Sequence, residues 1–378
     1  MLGKRFGVLL VLLAFIMVFS GTGLADEVRI GVYEPLTGPM AAGGQMTLEG
    51  IRLAHELYPT VLGKEVRLFV EDNKTDKAEA ALTVSRLIEL HRVNAIIGSY
   101  GSSLAMSGGP VAETAGIPVM GCSPTHPLVT EGNDYYFRAC FIDPFQGHIM
   151  ATYAYHTLGA REVAIIQDIA QDYSVGLSHF FRQAFVELTG DPTSVVGMSS
   201  YQTLDTDFTA QLTYLRGLNP DAVFAPGYYG DVALLITQAR ELGMDIPFLG
   251  GDACEAPEFI EIGGQNVEGV AISTHYSADA PVTEESTKFV EAFYEKYGHD
   301  PSAFAALGYD AYLLILDAIE RAASTEPEDI RFALSQTEGF EGATGFITMD
   351  EIGNAVKTGI ILQVQDGEFK YAGSVEPQ

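Results

Sequence analysis

Val28-Arg-Ile-Gly-Val-Tyr33 is a short apolar run rich in β-branched residues, and it is followed by a loop punctuated by Pro35, Gly38, Pro39, Gly43 and Gly44. Next, Met46 to Tyr58 carries Leu48, Ile51, Leu53 and Ala54 at helical spacing, and Val66-Arg-Leu-Phe-Val70 is a second short run. A β-branched run bounded by turn residues reads as a buried strand, and apolar residues recurring at three and four positions read as one helix face. Strand, helix, strand in that order is a βαβ unit, which requires a parallel sheet.

The unit repeats downstream. A helix is predicted over Asp76 to His91, a strand over Ala95 to Gly98, a helix over Ser103 to Ala115, and extended segments at Pro118 to Gly121 and Tyr135 to Ala139. After Pro144-Phe-Gln-Gly147 a second series begins, with helices at His148–Leu158, Ser174–Leu188, Phe208–Leu218 and Asp231–Leu242. Strands at Val163–Gln167, Val195–Met198, Ala222–Ala225, Pro247–Leu249 and Val270–Thr274 alternate with them. Helices at Thr283–Tyr297, Ala303–Ala323 and Pro327–Ser335 then exceed what the second sheet needs, so the chain is expected to cross back. The fold class is therefore α/β, with two doubly wound Rossmann-like lobes joined by three hinge strands. Lobe 1 is assigned 26–142 plus 276–345 and lobe 2 is assigned 143–275 plus 346–378, with crossings near Phe141–Pro144, His275–Ser277 and Gly345–Gly353.

Residues 1–25 read as an export signal. Lys4 and Arg5 precede an apolar stretch from Gly7 to Phe19, and Gly23-Leu-Ala25 offers small residues at a cleavage site. The apolar run is shorter than the ~20 residues of a bilayer span. Cleavage near Ala25 would release the protein outside the cytoplasmic membrane. The chain carries 50 acids against 21 lysines and arginines, a net charge of −29, and loss of Lys4 and Arg5 deepens it. Such a surface repels phosphate backbones, so nucleic acid is excluded as a partner.

Enzyme and metal signatures are missing. The eight histidines show no HxxxH or HExxH spacing, there is no CxxC and no G-x-S-x-G elbow, so neither a catalytic residue, a metal nor a cofactor is expected. Of the three cysteines, Cys122 and Cys140 each close a strand placed as neighbours in the first lobe. A disulfide between them is expected, with Cys254 free.

In open α/β sheets ligands bind beyond the carboxyl ends of strands. There Gly98-Ser-Tyr-Gly-Ser-Ser103 opens a helix, a geometry suited to an anion but also to an ordinary cap. Ser123 and Thr125 follow the next strand, and Tyr173, Tyr229 and Asp252 follow strands of the second series.

Several segments together are specific. Val28 to Pro39, Val70-Glu-Asp-Asn73, Ile117-Pro-Val-Met120, Tyr136-Phe-Arg138, Asp143-Pro-Phe-Gln-Gly147, Asp207-Phe-Thr-Ala-Gln211 and Gly308-Tyr-Asp-Ala311 resemble, in order and spacing, the periplasmic leucine/isoleucine/valine-binding protein family. These are type I solute-binding proteins of branched-chain amino-acid ABC importers. The resemblance implies that a free amino acid is held between the lobes, with Ser102 at its carboxylate, the Thr125 hydroxyl at its carboxylate or amine, and the Ser123 carbonyl at its ammonium. It also implies Asp252 as the acid facing the ammonium, Tyr229 beside it, and Tyr173 closing over the ligand. Gly43 stands where leucine binders place an aromatic, so Glu34 and Tyr100 are expected to line the side-chain pocket instead. The implied protein is a periplasmic, monomeric, non-enzymatic carrier that meets membrane permease subunits. The alternative within the superfamily is a sensor of amides, urea or another small polar solute.

Overall fold

A computed structural model of the chain describes residues 27–377; the expected export signal lies outside the described residues. The first half runs β1 (Val28–Glu34), α1 (Ala41–Leu57), β2 (Thr60–Val61), β3 (Lys64–Asp72), α2 (Lys77–Glu89), β4 (Ala95–Gly98), α3 (Ser102–Ala115), β5 (Val119–Gly121) and β6 (Tyr136–Arg138). These strands form one sheet in the order β2-β3-β1-β4-β5-β6, parallel from β3 to β6 with Val28 opposite Val66 and Ile30 opposite Ala95. Strand order reverses between β1 and β4, so a crevice opens where Glu34 ends one strand and Tyr100 follows the other.

The second series is α4 (Asp143–Thr152), β7 (Val163–Asp168), α5 (Asp172–Thr189), β8 (Val195–Tyr201), α6 (Thr209–Leu218), β9 (Ala222–Phe224), α7 (Tyr229–Glu241), β10 (Phe248–Gly250), α8 (Pro257–Gly263) and β11 (Ala271–Thr274). The chain continues through α9 (Glu284–Tyr297), α10 (Ala303–Ala322), α11 (Pro327–Ser335), β12 (Phe340–Gly342), β13 (Gly345–Met349), β14 (Ala355–Val356), β15 (Gly359–Gln365) and β16 (Glu368–Val375). The second sheet has the order β16-β15-β11-β10-β9-β7-β8, with the last two strands of the chain added antiparallel at its edge. Helix α10 returns to pack along α1 on the first sheet.

That packing is close enough to need glycine. A Cβ on Gly50 of α1 would overlap the Ala305 carbonyl of α10, and one on Gly308 of α10 would overlap the Thr47 carbonyl. Backbone cannot yield as a flexible side-chain end does, so Gly50→Ala is expected to destabilise the protein by about 2 kcal/mol. Urea denaturation checks this; an unchanged midpoint would mean that the helices separate without cost.

Four readings of the sequence are corrected. Helix α1 starts at Ala41, five residues early, because Gly43 and Gly44 are not turn residues. A Cβ at Gly44 would strike the Pro35 carbonyl and one at Gly43 would enter the Tyr100 ring. Helix α4 likewise starts at Asp143, with Pro144 in its first turn, where the missing N–H costs nothing. Residues 346–356, expected with lobe 2, belong to a separate small sheet of order β12-β13-β14 that is bonded to the first lobe: Arg138 N–H donates to the Gly353 carbonyl at 3.0 Å and Thr130 Oγ1 donates to Asn354 Oδ1 at 2.8 Å. The third crossing thus lies between β14 and β15. Finally, Cys122 and Cys140 are free thiols, as is Cys254, and all three are buried. Cys140 Sγ points to the Pro124 carbonyl at 3.6 Å. Burial pushes Cys140 up to about 12 and Cys122 well above the usual thiol range, which removes the thiolate that oxidation requires.

Candidate functional site

The carboxyl ends of both sheets face one another across a closed cleft. On the first lobe, Glu34 is fully buried. Its Oε2 accepts from Tyr100 N–H at 2.6 Å, while Oε1 has no hydrogen-bond partner among the described residues. Burial pushes this carboxyl up to about 8, opposed by the Tyr100 N–H. The Tyr100 ring meets Phe304 edge-on at 4.9 Å and lies 5.8 Å from the Tyr228 ring, which is 5.7 Å from Tyr173. An aromatic wall thus runs from α10 across to α5. Tyr100 fills the space over Gly43, so the ring absent from α1 is supplied by the loop after β4.

Ser102 begins α3, and its Oγ accepts from His126 N–H at 3.2 Å, leaving its own proton to donate. Ser123 and Thr125 are buried, and their hydroxyls, like that of Tyr100, lack partners of hydrogen-bond geometry among the described residues. The Thr125 hydroxyl does lie near enough to Asp143 to ease its ionisation, but burial dominates and holds that carboxyl up at about 8. A buried hydroxyl left unpaired costs about 1–3 kcal/mol. The three lie on the loops that follow β4 and β5.

On the second lobe Asp252 is 3% exposed. Its Oδ1 accepts from Tyr173 Oη at 2.7 Å and Gln146 Nε2 at 2.7 Å, and its Oδ2 meets His275 Nε2 at 3.0 Å. The structure therefore brings Tyr173 and Asp252 together. Tyr229 differs: its hydroxyl accepts from Ala42 N–H at 3.3 Å, the first turn of α1 on the opposite lobe, and Tyr228 takes the place over the cleft. Gln146, Tyr228, His275 and Phe304 were missed in sequence. Gln146 carried a signal inside the Asp143–Gly147 segment, Tyr228 stands beside Tyr229 after the strand ending at Ala225, and His275 was read only as a crossing position.

Further contacts join the lobes. Asp172 accepts from Ser103 Oγ at 2.8 Å and from Lys77 Nζ at 3.0 Å. Glu255, bonded to Thr274, also accepts from Ala303 N–H at 2.7 Å, where a carboxylate meets the positive end of α10. Among the described residues no cluster of three His, Cys, Asp or Glu side chains is placed to hold a metal ion. None of the described helices is long and apolar enough to cross a membrane.

Two doubly wound lobes meeting across a cleft with buried hydroxyls on one side and a carboxylate on the other define a two-lobed solute-binding fold. A sequence profile described as "Periplasmic binding protein" matches residues 27–368. The chain is 44% identical to the crystal structure of the leucine-binding protein LivK from Thermotoga maritima, with TM-score 0.89 over 93% of this chain and 99% of that one. It is 31% identical to LivJ of Streptococcus pneumoniae, a branched-chain amino-acid transporter substrate-binding protein solved with isoleucine, with TM-score 0.87 over 93% and 100% of the two chains. Leu/Ile/Val-binding protein homolog 1 of Brucella abortus is 26% identical over 369 residues, covering 96% of this chain and 97% of the relative. The chain belongs to the leucine/isoleucine/valine-binding family of type I periplasmic binding proteins.

Proposed function

We propose that this protein captures a free α-amino acid with a branched-chain or related aliphatic side chain, closes over it, and delivers it outside the cytoplasmic membrane to the permease of an ABC importer. The observation that carries the reading is the unpaired Ser123 and Thr125 hydroxyls in one buried cleft with the Asp252 carboxylate. A zwitterion needs donors for one end and an anion for the other, and charge-assisted bonds in a dry site supply both affinity and stereospecificity. Ser102, at the start of α3, adds a hydroxyl and the positive end of a helix for the carboxylate.

The side chain of the ligand is assigned to the aromatic wall of Tyr100, Tyr228 and Phe304. Its rings offer apolar faces, and the names of the relatives, leucine-binding and isoleucine-bound, favour an aliphatic occupant. Closure is a rigid-body movement about three crossings, because only the closed form lets one molecule reach Ser102 and Asp252 together. Solute capture of this kind calls for no catalytic residue.

A thermal-shift screen against the common L-amino acids tests the proposal. Leucine, isoleucine or valine is expected to raise the melting temperature, with about 2.7 kcal/mol of added stability at a hundredfold excess over Kd. If none of the amino acids shifts the transition, the reading fails.

A further inference from the structure

The segments that cross between the lobes converge behind Asp252. Phe141 comes from the first, His275 from the second and Lys357 from the third. The His275 ring is 3.9 Å from that of Phe141, centroid to centroid, and is 1% exposed. A carboxylate only accepts hydrogen bonds, so at 3.0 Å from Asp252 Oδ2 the imidazole carries its proton on Nε2. Its Nδ1 is buried without a partner among the described residues.

We propose that His275 is a positioning residue that holds the Asp252 carboxylate toward the cleft while neutral and, once protonated, displaces the ligand's ammonium as that carboxylate's counter-charge, so that release is coupled to proton uptake at the hinge. This rests on the amino-acid reading above. The charged and titratable groups around the pair are Lys357 and Cys140, Tyr173 on Asp252 Oδ1 with Tyr228, Tyr100 and Cys254 on the same side, and Asp143 and Glu255 beyond Asp252. Burial lowers the His275 pKa, Asp252 opposes that, and Lys357 adds to it. Ligand binding brings a further cation to Asp252 and lowers it again. Affinity is then complete above the pKa of the ligand-free protein and lost as pH falls through it, at or below the ordinary histidine value of about 6.5.

Two measurements test this. In the ligand-free protein, NMR of labelled histidines should show His275 as the Nε2–H tautomer, and Asp252→Asn should lower its pKa. No change between wild type and variant would overturn the coupling without reference to any ligand. In the second, L-leucine affinity is measured by calorimetry from pH 7.5 to 5. Wild type should weaken roughly tenfold per pH unit once below the transition. His275→Gln retains a donor but cannot be charged, so, whatever its affinity at pH 7.5, it should lose the added acid slope. Asp143 and Glu255 titrate in both proteins and cancel. Equal slopes would overturn the proposal, as would undiminished affinity in His275→Ala. If wild type binds no amino acid while the NMR shift is present, the amino-acid reading falls and the histidine–carboxylate coupling stands.

Discussion

Asp252→Asn is expected to weaken amino-acid binding by about 2 kcal/mol or more, roughly thirtyfold, because a desolvated ammonium then loses its counter-charge. The carboxamide keeps the shape of the site. Its oxygen still accepts from Tyr173 and Gln146, which both reach Oδ1 at 2.7 Å. The amide nitrogen replaces Oδ2 opposite His275, and that ring accommodates it by moving its proton to Nδ1, which lacks a partner among the described residues. The fold is therefore expected to survive while the charge is lost. Calorimetry with leucine on both proteins, with melting temperatures recorded beside it, is the check. Equal affinity would remove Asp252 from recognition and with it the zwitterion arrangement.

What was legible in the sequence is the alternation of buried strands and amphipathic helices, because period is a local property. The strand at Ala95–Gly98 and the helix at Pro327–Ser335 have the predicted bounds. What was not legible depends on contacts between distant segments. Gly43 and Gly44 look like loop punctuation until Pro35 and the Tyr100 ring are seen to occupy their missing Cβ positions. The edge strand β16 is mostly exposed, so it carries no apolar pattern to read. The site shows the same division. Tyr173 and Asp252 were marked by following strands of one sheet, a rule of topology. His275 was legible only as a crossing position, because its contact with Asp252 arises from two distant segments, and the exchange of roles between Tyr228 and Tyr229 turns on which ring faces the cleft, which spacing does not determine.

Arg138→Leu is expected to cost about 3 kcal/mol of stability and to weaken ligand binding as well, although Arg138 touches neither Asp252 nor the cleft hydroxyls in any of its hydrogen bonds. The guanidinium is fully buried. Its Nη1 donates to the carbonyls of Pro124 at 2.6 Å and His126 at 2.9 Å, and its Nη2 to the Pro127 carbonyl at 3.3 Å and Thr130 Oγ1 at 2.7 Å. One side chain thus fastens the loop that carries Thr125. Two effects oppose each other on substitution. Removing a buried cation recovers a desolvation cost of several kcal/mol. Against that, three carbonyls lose a charged donor, each at about 1–3 kcal/mol, and the leucine is too short to fill the space. The second effect wins because the carbonyls cannot turn to water while β6 and the Gly353 carbonyl hold the strand in place. Arg138→Lys separates charge from geometry, since one ammonium cannot span four acceptors in the plane of the fork. It is expected to recover less than half of the loss in urea denaturation. If lysine restored full stability, the loop would be held by charge alone, and the planar fork would not be what places Thr125 in the cleft.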